Sequence, residues 1–299
     1  MGYFHHSSLA VSCHLCFAMS IDLHTHSNYS DGTLTPTELV NLAREKKISA
    51  LALTDHDTMA GVEEAVRAGE MMGVEIIPGI EISVLHDKVE YHILGYWADS
   101  QNSVLAEALA ILQGARSERN SRILQKLNEL GIPATNDELE RVSEQGQTGR
   151  PHIARLLVRY GAVKTITQAF DQFLKKGAVA YVSRFAYTAI EAVSLIRQAG
   201  GLAVLAHPIQ NDPELTRLPL VLAGLVPAGL DGLEVYYPTH SHKIKKKLRA
   251  LAEQNNLLLT GGSDYHGDVR PGTTLAGGGN IFVPPDLLVK MKERLYAQA

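Results

Sequence analysis

Ile21-Asp22-Leu23-His24-Thr25-His26 is a β-like run that ends in two imidazoles. Ser27-Asn28-Tyr29-Ser30-Asp31-Gly32 follows as a loop that can return a carboxylate to the same mouth. Residues two apart on a strand share a face, so His24 and His26 can reach one ion. Gly32 permits the tight bend. The construction recurs along the chain. Leu51-Ala52-Leu53 leads into Asp55-His56-Asp57, and Pro78-Gly79-Ile80 leads into Glu81. His92 lies in the strand-like stretch Tyr91 to Gly95, where an ionisable group is costly unless paired or bound to metal. Leu202 to Ala206 ends in His207-Pro208, and Leu257 to Thr260 ends in Gly262-Ser263-Asp264-Tyr265-His266-Gly267. Singly, each ending has a plain reading: Asp57 fits a helix cap, and His92 fits a satisfied core histidine. Together they place ligand-type side chains at the strand mouths, where β/α folds build active sites. His86 stays out of the set, because Leu85 to Val89 reads as an exposed loop.

Helical patterns separate these runs: Pro36 to Lys47 with Thr35 as N-cap, Met59 to Met72 stopped by Gly73, Ala189 to Ala199, and Ser241 to Gln254. Glu90 to Trp97 and Gly232 to Val235 read as further strands. Strands alternating with helices make the chain α/β with parallel units. The rhythm breaks between Asn102 and Lys176, where Leu105, Leu109, Leu112, Ile123, Leu127 and Leu130 recur at helical spacing. Shorter helices are expected at Asp137 to Ser143, Pro151 to Tyr160 and Ile166 to Leu174. The division expected is a leader over 1–18, a barrel-like domain over 19–101 and 177–299, and an all-helical insertion over 102–176 that caps the site.

The 299 residues are 45% hydrophobic and 20% charged, as in soluble globular proteins, and the formal net charge is -4. No basic excess points to a long nucleic-acid footprint. Cys13 and Cys16 are the two cysteines, which excludes a disulfide framework and fits a reducing compartment. The leader lacks the basic start and cleavage site of a signal peptide, so the expectation is either that Met19 is the natural start or that the leader is a disordered extension. No apolar run is long enough to span a bilayer, so no membrane role is expected and the cytoplasm is the expected location.

The motifs Asp-Leu-His-Thr-His-Ser-Asn-Tyr-Ser-Asp-Gly from Asp22, Leu-Thr-Asp-His-Asp from Leu53, Gly-Ile-Glu-Ile-Ser from Gly79, His-Ile-Leu-Gly from His92, Ala-His-Pro from Ala206 and Gly-Ser-Asp-Tyr-His-Gly from Gly262 stand in one order. In that order the chain resembles the PHP (polymerase and histidinol phosphatase) family of metal-dependent phosphoesterases. It is most similar to the stand-alone bacterial branch that acts on nucleoside 3′,5′-bisphosphates and short RNA, and the likeness runs from about Ile21 to the C-terminus. The resemblance implies a distorted seven-stranded (β/α)7 barrel holding three divalent ions. One ion would take His24, His26, Glu81 and Asp264, a second Glu81, His92 and His207, and the third Asp31, His56 and His266. Every ligand position is filled. Mixed imidazole and carboxylate ligation suits Mn first, with Fe or Zn open. Glu81, His207 and Asp264 would carry catalysis, with metal-activated water attacking phosphorus and no covalent phosphoenzyme.

The substrate implied is a small phosphorylated molecule, a nucleotide or short 5′-phosphorylated RNA. Arg150 and His152 stand at an expected helix start, a favourable place for phosphate, and resemble an Arg-x-His near substrate in relatives. Some relatives have a lysine where Ala178 stands, and Arg184 is the expected substitute. His240 is a further candidate contact, whereas Lys243 to Lys247 reads as a solvated face. Two other functions stay open: a histidinol-phosphate-type phosphatase of small monoesters, and a non-catalytic metal-stabilised binding module. The oligomeric state is not legible.

Overall fold

The computed structural model describes residues 20–143, 146–270, 272–279 and 281–298. The leader over 1–18, Cys13, Cys16 and Met19 lie outside the described residues. Among the described residues, seven strands form one sheet in chain order: β1 (Ser20–Thr25), β2 (Ile48–Leu53), β3 (Glu75–His86), β4 (Val89–Tyr96), β5 (Leu202–Leu205), β6 (Gly232–Tyr236) and β7 (Leu258–Gly261). β1 to β3 are parallel, as are β5 to β7, while β4 runs antiparallel to both its neighbours. Past β7 the chain returns to β1. The His26 N–H donates to the Tyr265 carbonyl at 2.9 Å and the Asp264 N–H to the His24 carbonyl at 2.8 Å. The two sheet edges therefore meet at the rim where the ligand-type residues emerge, and the α/β architecture is that of a distorted barrel.

Helices cover the outside: α1 (Pro36–Glu45), α2 (Val62–Met72), α7 (Ala189–Gln198), α8 (Leu218–Leu225), α9 (His242–Gln254) and α10 (Asp286–Tyr296). Thr35 caps α1 in a reciprocal capping box with Glu38, and Gly73 ends α2 at φ 71°, a conformation open to glycine. Between β4 and α7 lie α3 (Ser103–Glu129), α4 (Asn136–Ser143), α5 (Arg150–Arg159) and α6 (Ile166–Ala169), with a π turn over Phe170–Leu174. α3 serves two cores. Leu105, Leu109 and Leu112 are buried with the barrel residues, and Ile123, Leu124 and Leu127 are buried with α5 side chains in a second core. Ala180 and Val182 also belong to that second core, so the packing division falls inside α3 and beyond residue 176.

Two differences from the sequence reading matter for the site. β3 runs for twelve residues, Glu75–His86, so Glu81 lies inside a strand rather than after one. Leu85 to Val89 is no open loop: β3 and β4 join through Asp87 and Lys88, at φ 49° and 65°, the signature of a two-residue hairpin turn. Among the described residues no helix is long and apolar enough to cross a membrane.

Candidate metal centre

Buried carboxylates shape the rim before any ligand is considered. Asp22 accepts from the Ser263 N–H and hydroxyl at 2.9 and 2.6 Å and from the Ala276 N–H at 2.6 Å, tying the segment after β7 to β1. Asp55 accepts from the Ser27 N–H and hydroxyl at 2.8 and 2.6 Å and from the Ser30 hydroxyl at 2.6 Å. It thereby fixes the loop that carries Asp31. Gly262 lets the two ends touch, because a Cβ there would lie 2.4 Å from the His24 nitrogen. Asp57, His207 and Asp264 all hold positive φ at strand ends. Such backbone costs about 1–3 kcal/mol each and gathers where surroundings over-determine it, often at functional sites.

Glu81 stands at the centre, 1% exposed. Its Oε1 faces His92 Nδ1 at 2.7 Å and His207 Nε2 at 2.9 Å. Its Oε2 faces His26 Nε2 at 3.2 Å, His24 Nε2 at 3.4 Å and His56 Nδ1 at 3.1 Å. Asp264 Oδ1 lies 3.3 Å from His26 Nε2, 3.6 Å from His24 Nε2 and 3.3 Å from His266 Nδ1. Asp31 Oδ1 lies 3.2 Å from His266 Nε2, and its Oδ2 lies 4.0 Å from His56 Nε2. The structure thus brings all nine expected ligands together. His56 stands between two groups, one with Asp31, His26 and His266 and one with Glu81 and His92.

The donor set fits metal. His24 Nε2, His26 Nε2, His56 Nδ1 and Asp31 Oδ1 are buried with no hydrogen-bond partner. A buried polar atom left so costs about 1–3 kcal/mol. In four overlapping groups, the ligand atoms all lie within 4.8 Å of one another. Burial opposes charge on every member. Even so, the Asp264 and Glu81 carboxylates push His26 up to about 10. Glu234, Glu81 and Asp264 likewise outweigh burial at His24 and hold it well above its ordinary value. At His56 burial prevails, and its pKa falls to about 3. Glu81 and Asp264 are buried and Asp31 is largely covered, yet neighbouring imidazoles keep all three well below the usual carboxylate range. Three carboxylates held in their ionised range side by side draw cations inward.

Several residues at the centre escaped the sequence reading. Glu234 is wholly buried inside β6. Its Oε1 pairs with His24 Nδ1 at 3.0 Å, and its Oε2 accepts the His207 N–H at 2.8 Å. A partner on Nδ1 leaves Nε2 of His24 free as a ligand atom, the usual outer support of a metal-binding histidine. The signal was an acid inside an apolar strand, the same one that marked His92. Tyr237 donates to Asp264 Oδ2 at 2.7 Å, and Arg270 pairs with the same oxygen and with the Tyr237 hydroxyl. Asp264 therefore has only Oδ1 left to offer the cluster.

The expected substrate contacts divide. Arg150 and Arg184 line cavities beside the cluster. His152 does not reach them: it is 1% exposed and its Nδ1 accepts the Gly149 N–H at 3.1 Å, so it closes the start of α5. Burial lowers its pKa to about 4 and keeps it neutral. His240 is buried against Tyr237, with Nδ1 bonded to the Val235 carbonyl at 2.8 Å, and it does not line the main cavity. Asp57 does not cap α2, which starts without a side-chain cap; it pairs with Arg116 and Arg184 instead.

Residues 22–194 match the model of the PHP domain. The chain belongs to the PHP domain family. A 5′-3′ exoribonuclease Rnm of Escherichia coli (strain K12) is 35% identical over 84% of this chain and 86% of its own. A 3′,5′-nucleoside bisphosphate phosphatase of Chromobacterium violaceum is 36% identical over 83% of this chain and 87% of its own. A solved structure from Bifidobacterium adolescentis, described as a candidate metal-dependent phosphoesterase, superposes with a TM-score of 0.84 at 32% identity, covering 93% of this chain and 96% of that one. The PHP likeness thus rests on sequence and fold together.

Proposed function

We propose that this PHP protein is a metal-dependent hydrolase of phosphate esters in nucleotides, acting on 3′,5′-bisphosphonucleotides, short 5′-phosphorylated RNA, or both. The carrying observation is the convergence of nine imidazole and carboxylate side chains with buried, unpartnered ligand atoms. His24, His26, Glu81 and Asp264 would hold one ion, His92 and His207 would share Glu81 around a second, and Asp31, His56 and His266 would hold a third. The donor set favours Mn, Fe or Zn over Ca or Mg. Divalent ions bound there supply a nucleophile from water at neutral pH and neutralise charge at phosphorus.

The chain's own residues do the rest. Glu81 offers one oxygen to each side of the cluster, and Asp264 offers one while Tyr237 and Arg270 hold the other. Arg270 lines the 430 Å³ cavity over the cluster and can meet a phosphoryl oxygen. Ile166, Phe170 and Val269 give that cavity an apolar wall suited to a nucleobase. The nearby Ser27, Ser30 and Ser263 hydroxyls donate to Asp55 and Asp22, so none is poised as a nucleophile. This supports direct hydrolysis without a phosphoenzyme.

The test is a substrate screen with a metal count. The protein loaded with Mn is assayed against adenosine 3′,5′-bisphosphate, histidinol phosphate and a short 5′-phosphorylated RNA. Metal-dependent turnover of the nucleotide substrates above histidinol phosphate is expected. Turnover of none would leave a binding module as the reading, and a trapped phosphoprotein would overturn the mechanism.

A further inference from the structure

The 430 Å³ cavity over the cluster has room for roughly one nucleotide, so the rest of an oligonucleotide must leave it over the rim. Gln210, after β5, and Arg270, after β7, both line it. β6 lies between those strands, and the loop that follows it meets both residues: the Tyr237 hydroxyl accepts from Gln210 at 2.8 Å and from Arg270 at 3.0 Å. That loop ends at Ser241, which caps α9. The helix then opens His242-Lys243-Ile244-Lys245-Lys246-Lys247-Leu248-Arg249, five cations and no acid. Leu248 is buried, and Ile244 and Leu251 pack against the core, so Lys243, Lys246 and Lys247 hold the exposed face. Lys247 Nζ donates to the Glu214 carbonyl at 2.6 Å. Among the described residues Lys243 and Lys246 have no ion pair or hydrogen bond. This placement is unfavourable twice over. Lysines three and four apart repel on one face, and cations at a helix start oppose its dipole. No acid in the first turn relieves them, in a chain whose net charge is -4. Helix stability gives no reason for such a face, whereas an anion lying along it does.

We propose that the exposed face of α9 formed by Lys243, Lys246 and Lys247 is a phosphate track for single-stranded RNA, holding the nucleotides beyond the one in the cavity. The chain from Tyr237 to Lys243 spans at most about 21 Å, so the track begins a few nucleotides from the cluster. Lysine suits this task. Its compact charge on a flexible stem follows a backbone whose phosphates shift from one substrate to the next, where the arginine fork would fix one geometry. No large apolar side chain of α9 is exposed, so the face has nothing to insert into a bilayer. Three lysines make a short track, in keeping with the absence of a basic excess over the whole chain. The track would favour oligonucleotides over mononucleotides at one metal centre. This inference rests on the reading of the cluster as a nucleotide phosphoesterase.

The test uses the full chain with Lys243→Gln and Lys246→Gln combined, leaving Lys247 on its carbonyl. Glutamine keeps helix propensity and removes a repulsion, so the variant should fold with an undiminished Tm. Mn-loaded wild type and variant are assayed on a 5′-phosphorylated RNA of about five nucleotides and on adenosine 3′,5′-bisphosphate, across a series of salt concentrations. The RNA-to-bisphosphate ratio of kcat/KM should fall about 3- to 10-fold, through KM. The slope of log kcat/KM for RNA against log salt should flatten by about 1.4, two contacts at about 0.7 each. Lys243→Arg with Lys246→Arg should restore both. An unchanged ratio and slope overturn the track. An equal fall for the bisphosphate also overturns it, since that marks a general field over the cavity. Weaker retention on phosphatidylserine vesicles with an unchanged RNA ratio would assign the face to a membrane and overturn it as well. Should no ester be hydrolysed, the functional reading fails, and fluorescence anisotropy of the labelled RNA with chelator-treated protein decides the track by the same change in salt slope.

Discussion

Replacing Glu234 by Gln probes the centre without touching a ligand. The side chain is 0% exposed, and each oxygen has one partner, His24 Nδ1 at 3.0 Å and the His207 N–H at 2.8 Å. Gln has one acceptor and one donor, so it cannot satisfy both. If its oxygen keeps the His207 N–H, its amide faces His24 Nδ1. The imidazole must then carry its proton on Nε2, the atom that faces Glu81 and Asp264 at 3.4 and 3.6 Å. If the amide turns the other way, it meets the His207 N–H donor to donor. Either arrangement loses a charged hydrogen bond, about 1.5–3 kcal/mol. Outer supports of metal-binding histidines cost about 10- to 100-fold in affinity when removed, the same range. Expected is a 10- to 100-fold rise in the Kd for Mn, measured by calorimetric titration of chelator-treated protein. The thermal stabilisation conferred by a fixed Mn concentration should shrink accordingly. An affinity and a metal count per chain within twofold of wild type would refute the orienting role of Glu234.

Other outcomes follow from the same geometry. Asp264→Asn should abolish metal-dependent turnover while circular dichroism stays that of wild type, since Tyr237 and Arg270 still find an oxygen; retained turnover would remove Asp264 from the centre. Gly262→Ala places a Cβ 2.4 Å from the His24 backbone nitrogen, so His24 must shift, and a loss of turnover of about 100-fold is expected with fewer ions per chain. His152 has a folded pKa of about 4 against an ordinary 6.5. The unfolded chain therefore binds the extra proton between those values. The contribution is complete above pH 6.5 and lost as pH falls to 4, roughly 3 kcal/mol in all. His152→Asn should shrink the drop in Tm between pH 7 and pH 5, and an equal drop in both proteins would count against it.

How far the site could be read from sequence depended on whether a residue's role was local. His24, His26, His56, His207, Asp264 and His266 stand at the ends of short apolar runs, and the alternation of strands with helices brings those ends to one rim. The course of β3 was not legible for a physical reason. Pro78 and Gly79 read as punctuation, because proline removes a ladder donor and glycine weakens a strand. In the fold Pro78 is the last residue paired with β2, opposite Leu53, and Gly79 is the first paired with β4, opposite Tyr96. The two breakers mark a change of partner within one strand. Asp87 and Lys88 hid the hairpin because both adopt positive φ without the glycine that usually announces such a turn.

The charged residues that were missed share a different cause. Gly114-Ala115-Arg116-Ser117-Glu118-Arg119-Asn120 reads as the solvated face of a helix, and nothing within those residues contradicts it. The reading fails because α3 leaves one core and enters another: Leu112 packs in the barrel, Ile123 in the second core, and the polar stretch lies between them. A helix bridging two cores turns its middle toward whatever they enclose, here the metal cluster. Arg116 and Arg119, three apart and so on one face, are covered by that crossing, Arg119 fully and Arg116 for the most part, rather than by their own hydrophobicity. Their burial is thus a property of the two-core arrangement, and charged residues midway along any such bridging helix are where a local reading of polarity should be expected to fail.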